Sequence, residues 1–184
     1  NALSDQEHPC QVVGDLLTIR EHKGTLGGIT VAFVGDGNNV AASLALACAS
    51  VGADFTIAAP SDYRVPAISW EEAKRRASVA ESMVEWVQEP REAVRDADVV
   101  YTDVWVSMGQ DAEAEVRLKA FSSYQVDEKL FAGAKSDAVF MHDMPAHRGE
   151  EVSEGMVDHP RSVVFDQAEN RLHAQKAILA ELFS

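Results

Sequence analysis

"ITVAFVGDGNNVAASLALACASVG", Ile29 to Gly52, decides the fold. Its first six residues, Ile29 to Val34, are apolar or β-branched and read as a buried strand. The strand stops at Gly35-Asp36-Gly37. Beyond that turn Val40, Leu44, Ala47, Cys48 and Val51 recur at helical spacing, and Gly52 is a natural C-terminal stop. A strand, a glycine turn and a buried helix make the first half of a βαβ unit.

The same alternation continues outward. Upstream, Pro9 to Glu21 reads as a helix with "HPCQ" at its mouth. Downstream, "DFTIAAP" is a second strand closed by Pro60, and Ser69 to Ala80 is a charged helix with Ser69 and two glutamates in its first turn. "MVEWVQ", Met83 to Gln88, is either a third strand or a continuation of that helix. "PREAVRDA" forms a short helix with Pro90 near its start, and "DVVYTDVW", Asp98 to Trp105, is a strand. Short helices follow at Ala112 to Ser122 and Asp127 to Ala134, then a strand at Ala138 to Met141. A last strand, "SVVF" at Ser162 to Phe165, precedes a final helix to Leu182. Strands separated by helices predict an α/β, doubly wound, mainly parallel sheet with helices on both faces, Rossmann-like, as one domain over residues 1–184.

The composition narrows the function. The 184 residues hold 30 acidic and 16 basic side chains, a formal charge of −14, which argues against a nucleic-acid partner. No apolar run approaches the roughly 20 residues that span a bilayer, so no membrane role is expected. Two cysteines, Cys10 and Cys48, make a disulfide scaffold improbable on composition and fit a reducing, cytoplasmic setting.

In an open parallel sheet, ligands bind beyond the carboxyl ends of the strands. The unusual polar clusters all fall there: "GDGNN" after the first strand, "DVWVSMG" after the fourth, "MHDMPAHRG" after the fifth and "DQAENRLH" after the last. One composite site is the simplest reading. "GDGNNV" fails as a dinucleotide fingerprint, because Val40 replaces the third glycine and no acidic residue ends the second strand. It also suits a tight turn with Asn38 or Asn39 capping the helix. Asp103 can hold an ammonium group and Ser107 can hydrogen-bond a carboxylate or amine, although both also suit a helix cap. Arg171, in the first turns of the last helix, offers a two-pronged donor for phosphate or carboxylate. His142, Asp143 and His147 have ligand chemistry but no recognised zinc spacing, so no metal is expected.

Taken in order, "HPCQ", "GDGNN", "TDVWVSMGQ", "HDMPAHRGEEV" and "FDQAENRLHAQKAIL" resemble the ornithine carbamoyltransferases of the aspartate/ornithine carbamoyltransferase family, over essentially the whole chain. The resemblance is to the carboxy-terminal, ornithine-binding half. It implies carbamoyl transfer from carbamoyl phosphate to the δ-amine of ornithine, giving citrulline and phosphate, with no cofactor. It implies that His8, Gln11, Asp143, Met144 and Arg171 contact carbamoyl phosphate, and that Asn39, Asp103, Ser107 and Met108 bind ornithine. His8, Arg171 and Asp143 are the implied catalytic residues. The resemblance further implies a homotrimer or higher homo-oligomer. Residues 1–24 become a connecting helix, and residues 166–184 a terminal helix packing on an amino-terminal carbamoyl-phosphate domain. The family's Ser-x-Arg-Thr phosphate motif does not occur in these residues, so the chain alone is expected to be inactive.

One departure stands out. Where the family usually reads His-Cys-Leu-Pro, this chain has His142-Asp143-Met144-Pro145. A free Asp titrates near 3.9, against about 8.5 for Cys, so Asp143 is expected to be ionised at neutral pH unless buried without partners. That residue leaves two alternatives open: a carbamoyltransferase for another amine, such as putrescine or acetylornithine, and a non-catalytic binding relative.

Overall fold

Alternation along the first strand sets the layers. Val31 and Phe33 face one side of the sheet, Ala32 and Val34 the other, and all four are fully buried. A strand apolar on both faces needs cover on both, which a helix layer above and below supplies. The computed structural model describes residues 1–107 and 109–184, with Asp111 described by its backbone alone. Its elements are α1 (Pro9–Lys23), β1 (Thr30–Val34), α2 (Asn39–Val51), β2 (Asp54–Ala58), α3 (Ala67–Ala80), β3 (Val84–Val87), α4 (Pro90–Val94) and β4 (Val99–Thr102). A 3₁₀ turn at Asp111–Glu113 leads to α5 (Ala114–Phe121), α6 (Glu128–Phe131), β5 (Val139–His142) and α7 (Val164–Phe183).

The five strands are parallel in the order β3-β2-β1-β4-β5, with Val31 opposite both Phe55 and Val99. One buried cluster gathers Val31, Phe33, Leu44, Phe55 and Tyr101, together with Ile19 of α1. The other gathers Ala32, Val34, Phe121, Phe131 and Phe140 on the opposite face. The doubly wound architecture expected from the sequence is therefore present. The α2 boundaries also follow local chemistry. The Asn38 side-chain oxygen accepts from Val40 N and Ala41 N, and Gly52 ends the helix at φ 74°, a left-handed conformation that glycine enters without penalty.

Two expectations need correction. "SVVF" is not a strand. Ser162 makes one parallel bridge to Phe140, through Phe140 N to Arg161 O and Val163 N to Phe140 O, and α7 begins at Val164. The three apolar residues in a row satisfied a strand pattern, but Val163 and Val164 are buried while Phe165 is 63% exposed at the first turn of α7. The helix expected from Ser69 instead begins at Ala67, directly after Pro66, which fixes its own φ for the entry. No helix among the described residues is long and apolar enough to cross a membrane.

Candidate active site

From β1 the chain winds outward through β2 and β3, then crosses back to place β4 on the other side of β1. The loops leaving β1 and β4 therefore diverge, and a crevice opens at the carboxyl ends of these two strands. After β1, Gly37 donates its N–H to Tyr63 O at 2.8 Å. A Cβ at Gly37 would lie 2.2 Å from Val65 N and 2.3 Å from the Arg64 carbonyl carbon, so only glycine lets the chain after β2 close over this turn. Asp36 pairs with the buried guanidinium of Arg117, whose Nε donates to Trp105 O at 2.6 Å. One arginine of α5 thus ties the β1 turn to the segment leaving β4. Burial pushes the Asp36 carboxyl up to about 6, although Arg117 pulls it down.

Asp103 stands just past β4 and is almost fully buried. It accepts from Asn38 Nδ2 and from Val104 N, both at 2.6 Å, so its carboxyl is held before any ligand arrives. Asn38 therefore does two jobs, capping α2 with its oxygen and orienting Asp103 with its nitrogen. Asp143 follows β5 with its side chain 12% exposed. Carboxyl oxygens of Asp103 and Asp143 and a ring nitrogen of His142 lie within 4.8 Å of one another. Burial, then the charge of Asp103, push the Asp143 carboxyl well above the usual carboxylate range. Its Oδ1 is buried with no hydrogen-bond partner among the described residues. The exception allowed in the sequence reading thus applies, and the Asp143 carboxyl gives up its proton less readily than an ordinary aspartate.

The two terminal helices supply further lining residues. His8 precedes α1, with its N–H on Ser43 Oγ at 2.8 Å. Burial, then the positive charge of Arg171, lower the His8 pKa and keep the imidazole neutral. Gly14 lets α1 and α7 pass closely, since a Cβ there would already lie 3.4 Å from the Arg171 backbone. The result is a cavity of about 710 Å³ lined by His8, Asn39, Asp103, Ser107, Asp143 and Arg171, with Met144 beside them.

Two candidate residues stand apart from these. Gln11 does not line the cavity: it is fully buried and donates from Nε2 to Asp15 Oδ1 at 2.8 Å. Met108 lies outside the described residues. Asn39 is on the wall, but its Nδ2 is engaged by Ser4 O at 2.8 Å. His147, weighed from sequence only as a metal ligand, lines the cavity. Asp15, which the sequence did not single out, is fully buried and accepts from Gln11, Gln167 and Tyr101. The one available signal for Asp15 was its spacing, four residues after Gln11 on one helix face.

Among the described residues, two sets of side chains have metal-ligand proximity: Asp103, His142 and Asp143, and His147, Glu150 and Glu151. In the first, Nδ1 of His142 already accepts from Met144 N at 2.9 Å, so that lone pair is taken. His147 belongs to the second set, so the three residues considered from sequence do not converge.

The comparisons bear on the same residues. The family model for the Asp/Orn-binding domain of aspartate/ornithine carbamoyltransferases matches residues 27–182. An ornithine carbamoyltransferase of Methanopyrus kandleri is 57% identical over 182 residues, covering 99% of this chain and 58% of that protein. One of Bacillus subtilis is 53% identical, covering 97% of this chain and 56% of that protein. The solved ornithine carbamoyltransferase of Pyrococcus furiosus superposes with a TM-score of 0.94 at 53% identity, over 98% of this chain and 57% of that one. The chain spans somewhat more than half the length of the relatives it matches. With the switch-point cavity and the match over residues 27–182, the chain belongs to the aspartate/ornithine carbamoyltransferase family and comprises its Asp/Orn-binding domain.

Proposed function

We propose that the chain is the amino-acid-binding part of an ornithine carbamoyltransferase, which transfers the carbamoyl group of carbamoyl phosphate to the δ-amine of ornithine. The observation that carries this reading is the division of the cavity wall. The strand ends bring paired acids, Asp103 and Asp143, to the wall, and the terminal helices bring a neutral histidine and an arginine, His8 and Arg171. A cationic amino acid suits the first pair and an anionic acyl phosphate the second. Holding both in one cavity turns a two-molecule reaction into a local one. The amine nitrogen attacks the carbamoyl carbon, the bond from that carbon to the phosphate oxygen breaks, and phosphate leaves. His8 and Arg171 stabilise the charge that develops on oxygen.

Asp143 adds a proton relay. The δ-ammonium must lose a proton before it can attack, and an amine of the lysine type holds that proton near 10.4. Each unit by which burial raises the carboxyl brings acceptor and donor closer by about 1.4 kcal/mol. Once it has ionised beside the bound ammonium, a raised Asp143 is therefore a better base toward the amine than an ordinary aspartate.

The exposed apolar side chains of α7, Leu179, Leu182 and Phe183, fit packing on the carbamoyl-phosphate domain of the longer family members. A homo-oligomer, cytoplasmic placement and inactivity of the 184 residues alone belong to the same reading and rest on family likeness. The test is calorimetric titration of ornithine into the chain and its Asp103→Asn variant. Saturable binding that weakens at least about tenfold in the variant supports the reading. Equal binding by both refutes it.

A further inference from the structure

We propose that Glu151 is a positioning residue for the substrate-contacting turn at 143–147, acting through the ring of His142; this rests on the function proposed above. His142 and Glu151 are both fully buried. Nδ1 of His142 accepts from Met144 N at 2.9 Å, which places the ring proton on Nε2. That Nε2–H faces Glu151 Oε1 at 3.2 Å, and the same oxygen accepts from His147 N. One carboxylate oxygen therefore holds the turn at both ends: at His147 directly, and at Met144 through an imidazole whose tautomer it selects.

The turn needs holding. Met144 sits at φ 56°, in the left-handed region that costs a non-glycine residue about 1 kcal/mol. Its N–H in that conformation is satisfied by His142 alone among the described residues. Asp143, between the two, has its Oδ1 3.5 Å from the same Nδ1, so a rotation of the ring moves the surroundings of the reactive carboxyl. Glu151 is itself fixed by its backbone. Glu151 O accepts from Val126 N at 2.8 Å, and Val152 bridges both Val126 and Arg148.

The arrangement uses only one oxygen. Glu151 Oε2 is buried without a partner among the described residues and lies 3.9 Å from His147 Nδ1. A positioning role therefore makes an unusual demand. Glu151→Gln retains an oxygen for both donors and should preserve the turn, whereas Glu151→Ala should release it.

The experiment reads the His142 ring nitrogens by ¹⁵N NMR on the 184-residue chain, together with ornithine affinity and melting temperature. Wild type and Glu151→Gln should show an unprotonated Nδ1 and a protonated Nε2, and bind ornithine within about threefold of each other. Glu151→Ala should mix the tautomers and bind ornithine at least about tenfold more weakly. His142→Asn, which can still accept from Met144 N but cannot reach Glu151, should fall between them. A protonated Nδ1 in wild type overturns the proposal, as does a Glu151→Gln variant as impaired as Glu151→Ala. An unchanged tautomer in Glu151→Ala does the same. Should wild type show the expected tautomer yet not bind ornithine, the function reading fails, while the tautomer pattern still judges the role of Glu151.

Discussion

Replacing Asp15 by Asn isolates the cost of one fully buried carboxyl on α1. Its Oδ1 accepts from Gln11 Nε2 at 2.8 Å and Gln167 Nε2 at 2.7 Å, and its Oδ2 from Tyr101 OH at 3.2 Å. These neutral donors, helped by the charge of Arg171, do not offset the loss of water, and burial pushes the carboxyl from 3.8 up to about 7. The folded protein therefore holds this proton more tightly than the unfolded chain, and protons favour folding. No cost is present below about pH 4. It accrues as pH rises and is complete above about pH 7. A rise of about three units corresponds to about 4 kcal/mol. Asn cannot ionise. It keeps an oxygen for the two glutamines but meets Tyr101 with N–H, a loss of about 1 kcal/mol. Asp15→Asn should thus be about 1 kcal/mol less stable than wild type at pH 4 and about 3 kcal/mol more stable at pH 8. Urea unfolding at stepped pH, with unchanged m-values, measures the difference directly. Asp36 titrates in both proteins and cancels, whereas losing the charge of Asp15 also relieves Asp143, which adds to the variant's advantage at high pH. Parallel stability curves would refute the reasoning.

Other consequences are equally specific. Gly37→Ala drives a Cβ into the backbone at Arg64 and Val65 and should cost about 3 kcal/mol, read as a lowered urea midpoint. Arg117→Met strands Asp36 in a buried setting and should cost about 3–5 kcal/mol at pH 8. Burial raises Asp36 to about 6 even with Arg117 beside it and further without it, so that loss should shrink as pH falls from 8 toward 6, as the stranded carboxyl takes up a proton. Ornithine binding should release a proton from Asp143, so affinity should rise with pH through its raised range. Calorimetry in buffers of different ionisation enthalpy detects this, and the release should vanish in Asp143→Asn.

Local patterns carried the fold, and tertiary placement carried most of the site. The β1–α2 unit was legible because its strand, glycine turn and helix each follow from neighbouring residues. "SVVF" misled because an apolar triplet looks the same entering a helix as forming a strand, and only the exposure of Phe165 separates them. Asp103, Ser107, Asp143, His8 and Arg171 were legible as strand-end or helix-end polar residues, and the topology gathers them. Asp15 and Arg117 were not, since a charged residue on a helix ordinarily faces water. Their partners lie 152 and 81 residues away, at Gln167 and Asp36. The ionisation of Asp143 was open for the same reason, because burial and the approach of Asp103 exist only in the folded chain.

The most direct test is carbamoyl-phosphate-dependent product formation by the full-length protein that carries this chain, with ornithine, putrescine and acetylornithine run side by side. The account predicts citrulline from ornithine, strongly preferred over the other two amines. Preference for either of the others, or no turnover with ornithine, would contradict it.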